Sequence, residues 1–288
     1  MINKNNRGKL CILLSAFIYG FVPILARLAY SGGVNGITLT FLRAVMMIPL
    51  LAFVLKISNI PIGLSPDELR KIIILGVVGG TLPIMLLYVS YDYINAGLAA
   101  TLHFIYPMII TFAAAIIYRE RMTRVKLLAL MLVMLGISLS ANTGHGGSKT
   151  GIVLALLSGI LYSFYVIYMD RSGLDSMNYV KLTFYLMLTM SASTMVFGLA
   201  LGKIDFEMTG GSWGLAFIIS ALITAVAIPA FQVGVKAEGA ATAGILSALE
   251  PVTTTVCSMI FLNEYMGVSE LVGTAVMLTG IVLAEKSE

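Results

Sequence analysis

Apolar residues run through this chain in ten stretches separated by short polar breaks, at roughly 8–30, 37–56, 70–92, 95–118, 124–141, 150–169, 179–201, 212–234, 238–262 and 268–284. A helix rising ~1.5 Å per residue needs about 20 residues to cross a ~30 Å hydrocarbon core. Each stretch therefore predicts a membrane-spanning helix. Very few residues join helices three to four, four to five and eight to nine, so those neighbours are antiparallel. The ninth stretch differs from the rest in carrying a glutamate, Glu250, at its middle.

The pattern also repeats. Residues 95–140 slide onto 239–284 without a gap, pairing Pro107 with Pro251, Glu120 with Glu264 and Gly136 with Gly280. The first helix of each half aligns as G-K-L-C-I-L-L-S-A-F-I-Y over G-I-V-L-A-L-L-S-G-I-L-Y, which pairs Ser15 with Ser158 and Tyr19 with Tyr162. The chain thus divides into a first half, 1–141, a linker, 142–149, and a second half, 150–288. Five helices is an odd number, so the two halves enter the membrane with opposite orientation. Inverted repeats of this kind place a binding site between the halves near mid-membrane. The expected fold is all-α and integral to the membrane, with ten transmembrane helices in two inverted five-helix repeats.

Composition narrows the class further. With 59% hydrophobic and 11% charged residues and a mean hydropathy of +0.97, the chain lies far from an ordinary soluble domain. The net charge of +4 is a topology signal rather than a nucleic-acid footprint. With the N-terminus inside, the cytoplasmic segments hold Lys4, Arg7, Lys9, Lys56, Arg70, Lys71, Arg119, Arg121, Arg124, Lys126, Arg171, Lys181, Lys236 and Lys286. The opposite side holds Lys149 and Lys203, so both termini are expected in the cytoplasm. The first apolar run is too long for a cleavable signal and reads as helix one. Cys11 and Cys257 stand on separate helices and suggest neither a disulfide nor a metal site. The glycine-rich segment N-T-G-H-G-G-S-K from Asn142 to Lys149 suits a flexible tether, with His145 solvated.

Three features stand in order, the last two in both halves: an arginine in helix two (T-F-L-R-A-V-M-M), prolines in helices four and nine (H-F-I-Y-P and S-A-L-E-P), and helix ends Y-R-E-R-M-T and L-N-E-Y-M-G. Each end is followed by a glycine-bearing last helix (M-L-G-I-S-L and L-T-G-I-V-L). In these features the two halves resemble the paired EamA domains of the drug/metabolite transporter superfamily, over essentially the whole chain. The resemblance implies a ten-helix carrier in a prokaryotic inner membrane, often an exporter of amino acids, other metabolites or drugs. A transporter of a lipid-linked substrate is the alternative within the same superfamily.

The residues point to a site independently. A carboxylate at the centre of a span costs several kcal/mol unless it faces a cavity, is paired or is protonated. Glu250 either lines the substrate path or is a fixed partner of Arg43. Ser247, Thr254 and Ser258 share its face by helical spacing. The repeat sets His103 opposite Ser247 and Tyr106 opposite Glu250, so the two faces should confront one another. Tyr19, Tyr162 and Tyr165 add aromatic rings with polar tips, and Tyr168 stands on the same helix. Arg43 can hold a carboxylate or tie helices together. Arg27 and Asp92 are expected to reach water from helix ends, and Glu120 and Glu264 to cap or hinge theirs. Tyr91-Asp92 lacks the G-x-G-D partner of an intramembrane protease, and no H-E-x-x-H, nucleophile elbow, Walker loop or GxGxxG occurs. The sequence therefore predicts a carrier rather than an enzyme, using no cofactor or metal and coupled to protons or to a counter-substrate.

Overall fold

The structure is a computed structural model, which describes residues 7–117, 123–141, 148–238, 242–243, 246–263 and 267–285. Glu120, Glu264 and His145 lie outside the described residues. All regular structure among the described residues is helical. The helices are α1 (Arg7–Tyr30), α2 (Gly36–Val45), α3 (Ile48–Ile57), α4 (Pro66–Ile74), α5 (Leu82–Ser90), α6 (Ala96–His103), α7 (Tyr106–Ile117) and α8 (Arg124–Ala141). The second series is α9 (Lys149–Ser172), α10 (Tyr179–Ala200), α11 (Gly210–Ala221), α12 (Ile228–Glu238), α13 (Leu249–Phe261) and α14 (Val268–Glu285). Among the described residues, six helical segments are long and apolar enough to cross a membrane: 7–30, 36–57, 66–90, 149–169, 179–200 and 210–238. Shorter apolar helices cover 96–110, 127–139 and 249–261.

Proline accounts for most of the interruptions. It lacks a backbone N–H and clashes with the preceding turn, so it kinks, breaks or widens most helices that hold it. Pro49 opens α3 after a turn at Met46–Met47. Pro83 and Pro229 follow π-helical turns at Leu75–Thr81 and Leu222–Ala227. Pro107 and Pro251 follow turns at Phe104–Ile105 and Ser247–Ala248. Pro23 departs from the expected pattern, because α1 runs through it unbroken. The glycines of the Gly76–Gly80 segment let its backbone approach the neighbours closely: Gly76 lies against Thr189, Gly79 against Tyr165 and Gly80 against Met190.

The helix starts repeat as faithfully as the breaks. Asn35 Oδ1 accepts from the Ile37 and Thr38 amides, and Asn178 Oδ1 accepts from those of Val180 and Lys181. Ser65 Oγ accepts from the Glu68 amide and Thr209 Oγ1 from the Ser212 amide. Each pair satisfies orphan amides at equivalent helix N-termini.

At the rim, α8 packs along α14. Gly136 meets Gly273 and Met277, while Gly280 meets Ala129 and Val133. Exchanging positions 144 apart, Gly136 with Gly280, Ala129 with Gly273 and Val133 with Met277, turns one contact into the other, the reciprocity of an isologous interface. Nearer the centre the same exchange holds with different partners: α1 packs on α12 and α13, and α9 packs on α5, α6 and α7.

Candidate functional site

The two broken helices meet at their breaks. The Tyr106 hydroxyl, at the start of α7, donates to Glu250 Oε1 at 3.5 Å. Glu250 stands in the first turn of α13, immediately before Pro251, and keeps part of its surface accessible. Its backbone is fixed by α1: Gly20 lies directly against the Glu250 carbonyl and Thr253, a closeness that only a missing side chain permits. Thr254 Oγ1 then donates to the Gly20 carbonyl at 2.8 Å. The equivalent contact in the other half uses Ser163, whose hydroxyl lies 3.4 Å from the Tyr106 carbonyl.

The rings assemble around this contact. Tyr106 and Tyr162 meet edge to face with centroids 4.9 Å apart, and Tyr162 stacks on Tyr165 at 5.6 Å. His103 lies 5.6 Å from the Tyr106 ring and 5.4 Å from that of Tyr162. Its Nδ1 is 2.8 Å from Ser158 Oγ. The Ser158 hydroxyl already donates to the Ala155 carbonyl, so His103 Nδ1 is the donor and Nε2 the free acceptor. Tyr19 lies within electrostatic reach of both Glu250 and Arg43.

All nine residues singled out from the sequence can now be placed. Glu250, Tyr106, His103, Tyr162 and Tyr165 form one connected cluster, with Tyr19 beside it. Ser247 lies beside the Tyr106 hydroxyl, buried and without hydrogen-bond alignment to any partner. Thr254 is buried and its hydroxyl is spent on backbone carbonyls, so it ties α13 to α1. Arg43 is buried on α2, and no ion pair joins it to Glu250 among the described residues. The reading of Glu250 as a fixed partner of Arg43 is therefore corrected: its neighbour is a neutral phenol. Arg27 is corrected as well. It does not simply reach for water, since its Nη1 donates to the Tyr91 carbonyl at 2.6 Å.

Sequence reasoning missed Tyr88 and passed over Tyr91 as half of a protease motif. Both hydroxyls are buried without partners and lie within reach of Arg43. Their spacing of three on one helix face was the signal that could have marked them.

Hydrogen bonds between the two halves of the chain gather at two separate places. At one, Lys181 Nζ donates to the Gly63 carbonyl and the Tyr185 hydroxyl to that of Ile62, both at 2.5 Å, beside a cavity of about 330 Å³. At the other, the Thr209 amide donates to the Gly32 carbonyl and Asn35 Nδ2 to that of Lys203, both at 2.9 Å.

Comparison with known proteins agrees with this internal symmetry. The EamA-like transporter family matches the chain twice, over residues 6–142 and 149–285. An uncharacterized transporter of Synechocystis sp. is 25% identical, the match covering 98% of this chain and 94% of that protein. An uncharacterized transporter of Archaeoglobus fulgidus is 26% identical over 96% of each. A solved crystal structure with 15% sequence identity superposes with a TM-score of 0.76 over 96% of both chains, which establishes the shared fold.

Proposed function

Because this chain belongs to the EamA-like transporter family, we propose that it is a ten-span secondary transporter exporting small metabolites, such as amino acids or drugs, by alternating access. The inverted halves are 1–141 and 150–288, joined by 142–149. Both termini face the cytoplasm of a prokaryote, and the protein resides in the inner membrane. The basic residues gathered on one side support that orientation, and the bacterial and archaeal relatives support the compartment.

The observation that carries this reading is the meeting of Tyr106 and Glu250. Each stands at the break of a helix, 144 positions from the other, where the lost backbone hydrogen bonds are tolerable only in protein or facing water. A site shared by two such breaks is contacted by both halves, so rocking one half against the other exposes it to each side in turn. Glu250 is the group for a cationic substrate moiety or a coupling proton, and the rings of Tyr19, Tyr162 and Tyr165 supply apolar contact with polar tips. His103 Nε2 offers an acceptor. The inter-half contacts at Gly63 and Ile62 and at Gly32 and Lys203 are the inner and outer closures.

The test compares small molecules inside and outside cells expressing wild type, Glu250→Gln or empty vector. One metabolite class accumulating outside, lost in the variant at matched expression, is the expected result. Equal profiles in the three strains overturn export, and strict ATP dependence after reconstitution overturns secondary transport.

A further inference from the structure

We infer that Arg43, Tyr88 and Tyr91 form a buried anion-binding subsite that takes the carboxylate of a small organic molecule. The inference deepens the transport reading and rests on it, the carboxylate being the substrate's own.

Arg43 is only 6% exposed, and a guanidinium keeps its charge at every accessible pH. Its Nε has no hydrogen-bond partner, and no carboxylate pairs with it among the described residues. α2 packs against α5, and at the end of α5 Tyr88 and Tyr91 stand 2% and 1% exposed with ring centroids 5.7 Å apart. The Tyr88 hydroxyl lies beside the guanidinium as a nearby acceptor but makes no aligned hydrogen bond, and the Tyr91 hydroxyl has no partner. The carbonyls of these two residues are already engaged, Tyr88 by the Tyr30 hydroxyl at 2.8 Å and Tyr91 by Arg27.

Three groups able to donate therefore gather where the two neighbouring carbonyls are taken and the phenol oxygens are the acceptors left. Burying unpaired donors, one of them charged, is unfavourable until an acceptor arrives. A carboxylate suits this set: it accepts only, and its two oxygens match the fork of a guanidinium. Arg27 makes the contrast, since its guanidinium is tied to a carbonyl. Glu250 also lies within electrostatic reach of Tyr91 and Tyr19, so a molecule held at Arg43 lies in the same polar interior as the acidic end of the site. The cluster is closed over in this conformation, so a ligand enters when the seam between α2 and α5 opens.

The experiment is thermal unfolding of the full-length purified protein at constant ionic strength. The probes are phenylacetate, its neutral isostere phenylacetamide, and sodium chloride. Phenylacetate is expected to raise the melting temperature by a few degrees, as a ligand selective for the folded state does, and phenylacetamide is not. The double variant Tyr88→Phe, Tyr91→Phe keeps the rings and removes hydroxyls that have no partners. It should melt no lower than wild type without ligand, and should lose the phenylacetate shift. A chloride shift as large as that of phenylacetate, and lost in the same variant, identifies the occupant as an inorganic anion and overturns the carboxylate assignment. No shift with either anion, or an undiminished shift in the variant, overturns the subsite. These shifts read binding without transport. A protein that binds phenylacetate but exports nothing keeps the subsite and loses the transport reading.

Discussion

At the rim, α8 and α14 present the same glycine to each other, Gly136 against Gly273 and Met277, Gly280 against Ala129 and Val133. At the centre, the equivalent breaks before Pro107 and Pro251 carry His103 and Tyr106 on one side and Ser247 and Glu250 on the other. The scaffold keeps its two-fold relation where close packing is all that is needed, and departs from it where chemistry is concentrated. A symmetric pair of glutamates facing one another would repel, whereas a phenol facing a carboxylate donates to it. The asymmetry is therefore what lets one acidic group sit stably at the meeting point of the halves.

The largest expected effect breaks the centre and spares the rim. Glu250→Gln is nearly isosteric and removes only charge and proton affinity. Transport should fall about a hundredfold, the ~3 kcal/mol at the top of the range for leaving a buried polar partner unsatisfied. Membrane insertion should be unchanged, as measured by the amount of protein in the membrane fraction. Transport within twofold of wild type would return Glu250 to a packing role.

Breaking the rim should have the opposite profile. Gly136→Val drives methyl groups into Met277 and the Gly273 carbonyl, the latter only 2.5 Å from where a Cβ would stand. Overpacking of this kind costs about 1–3 kcal/mol of stability. Gly280→Val is the milder change, because its nearest neighbour, the Ala129 carbonyl oxygen, is 2.8 Å from the Cβ position. Melting temperatures of the purified variants should fall in that order, with transport per folded molecule retained. Loss of transport in well-folded Gly136→Val would show that the rim moves during the cycle.

The six membrane-length helices of the described residues were legible because apolar runs of that length are a strong signal, and the central breaks because proline removes a backbone donor. The facing of Tyr106 and Glu250 was legible from the repeat, since equivalent positions meet across a two-fold axis. What the sequence did not disclose depends on contacts between helices far apart in the chain. His103 finds Ser158, 55 positions away, and Thr254 finds Gly20, 234 positions away. Arg43 was a candidate partner for Glu250 on charge alone; helix packing instead set it among the tyrosines of α5. The π-helical turns before Pro83 and Pro229 were equally hidden, because proline permits a break and the neighbouring helices decide its form.

A gentler change sharpens the centre. Tyr106→Phe keeps the ring against Tyr162 and Phe104 and deletes the donor to Glu250. Transport should fall about fivefold, the ~1 kcal/mol of one hydrogen bond, and well short of the Glu250→Gln effect. If Tyr106→Phe equals Glu250→Gln, the two residues act as a unit; a double variant no worse than either single would show the same coupling.

The smallest effect compares two helix starts. Ser65 and Thr209 cap α4 and α11 at equivalent positions, but Ser65 belongs to a reciprocal box in which its own amide donates to Glu68 Oε2 at 2.7 Å. The residue at the matching position after Thr209 is Ser212, whose hydroxyl reaches the Ala29 carbonyl of α1 instead. Alanine at either cap should cost about 0.5–1 kcal/mol. Ser65→Ala should cost slightly more, because it also loosens the returning Glu68. Thr209→Ala should instead weaken the end where its amide holds the Gly32 carbonyl, so accessibility of a cysteine label placed at Ser31 should rise in that variant alone. Equal labelling in both variants would mean that this closure stands on its backbone bond and owes nothing to the cap.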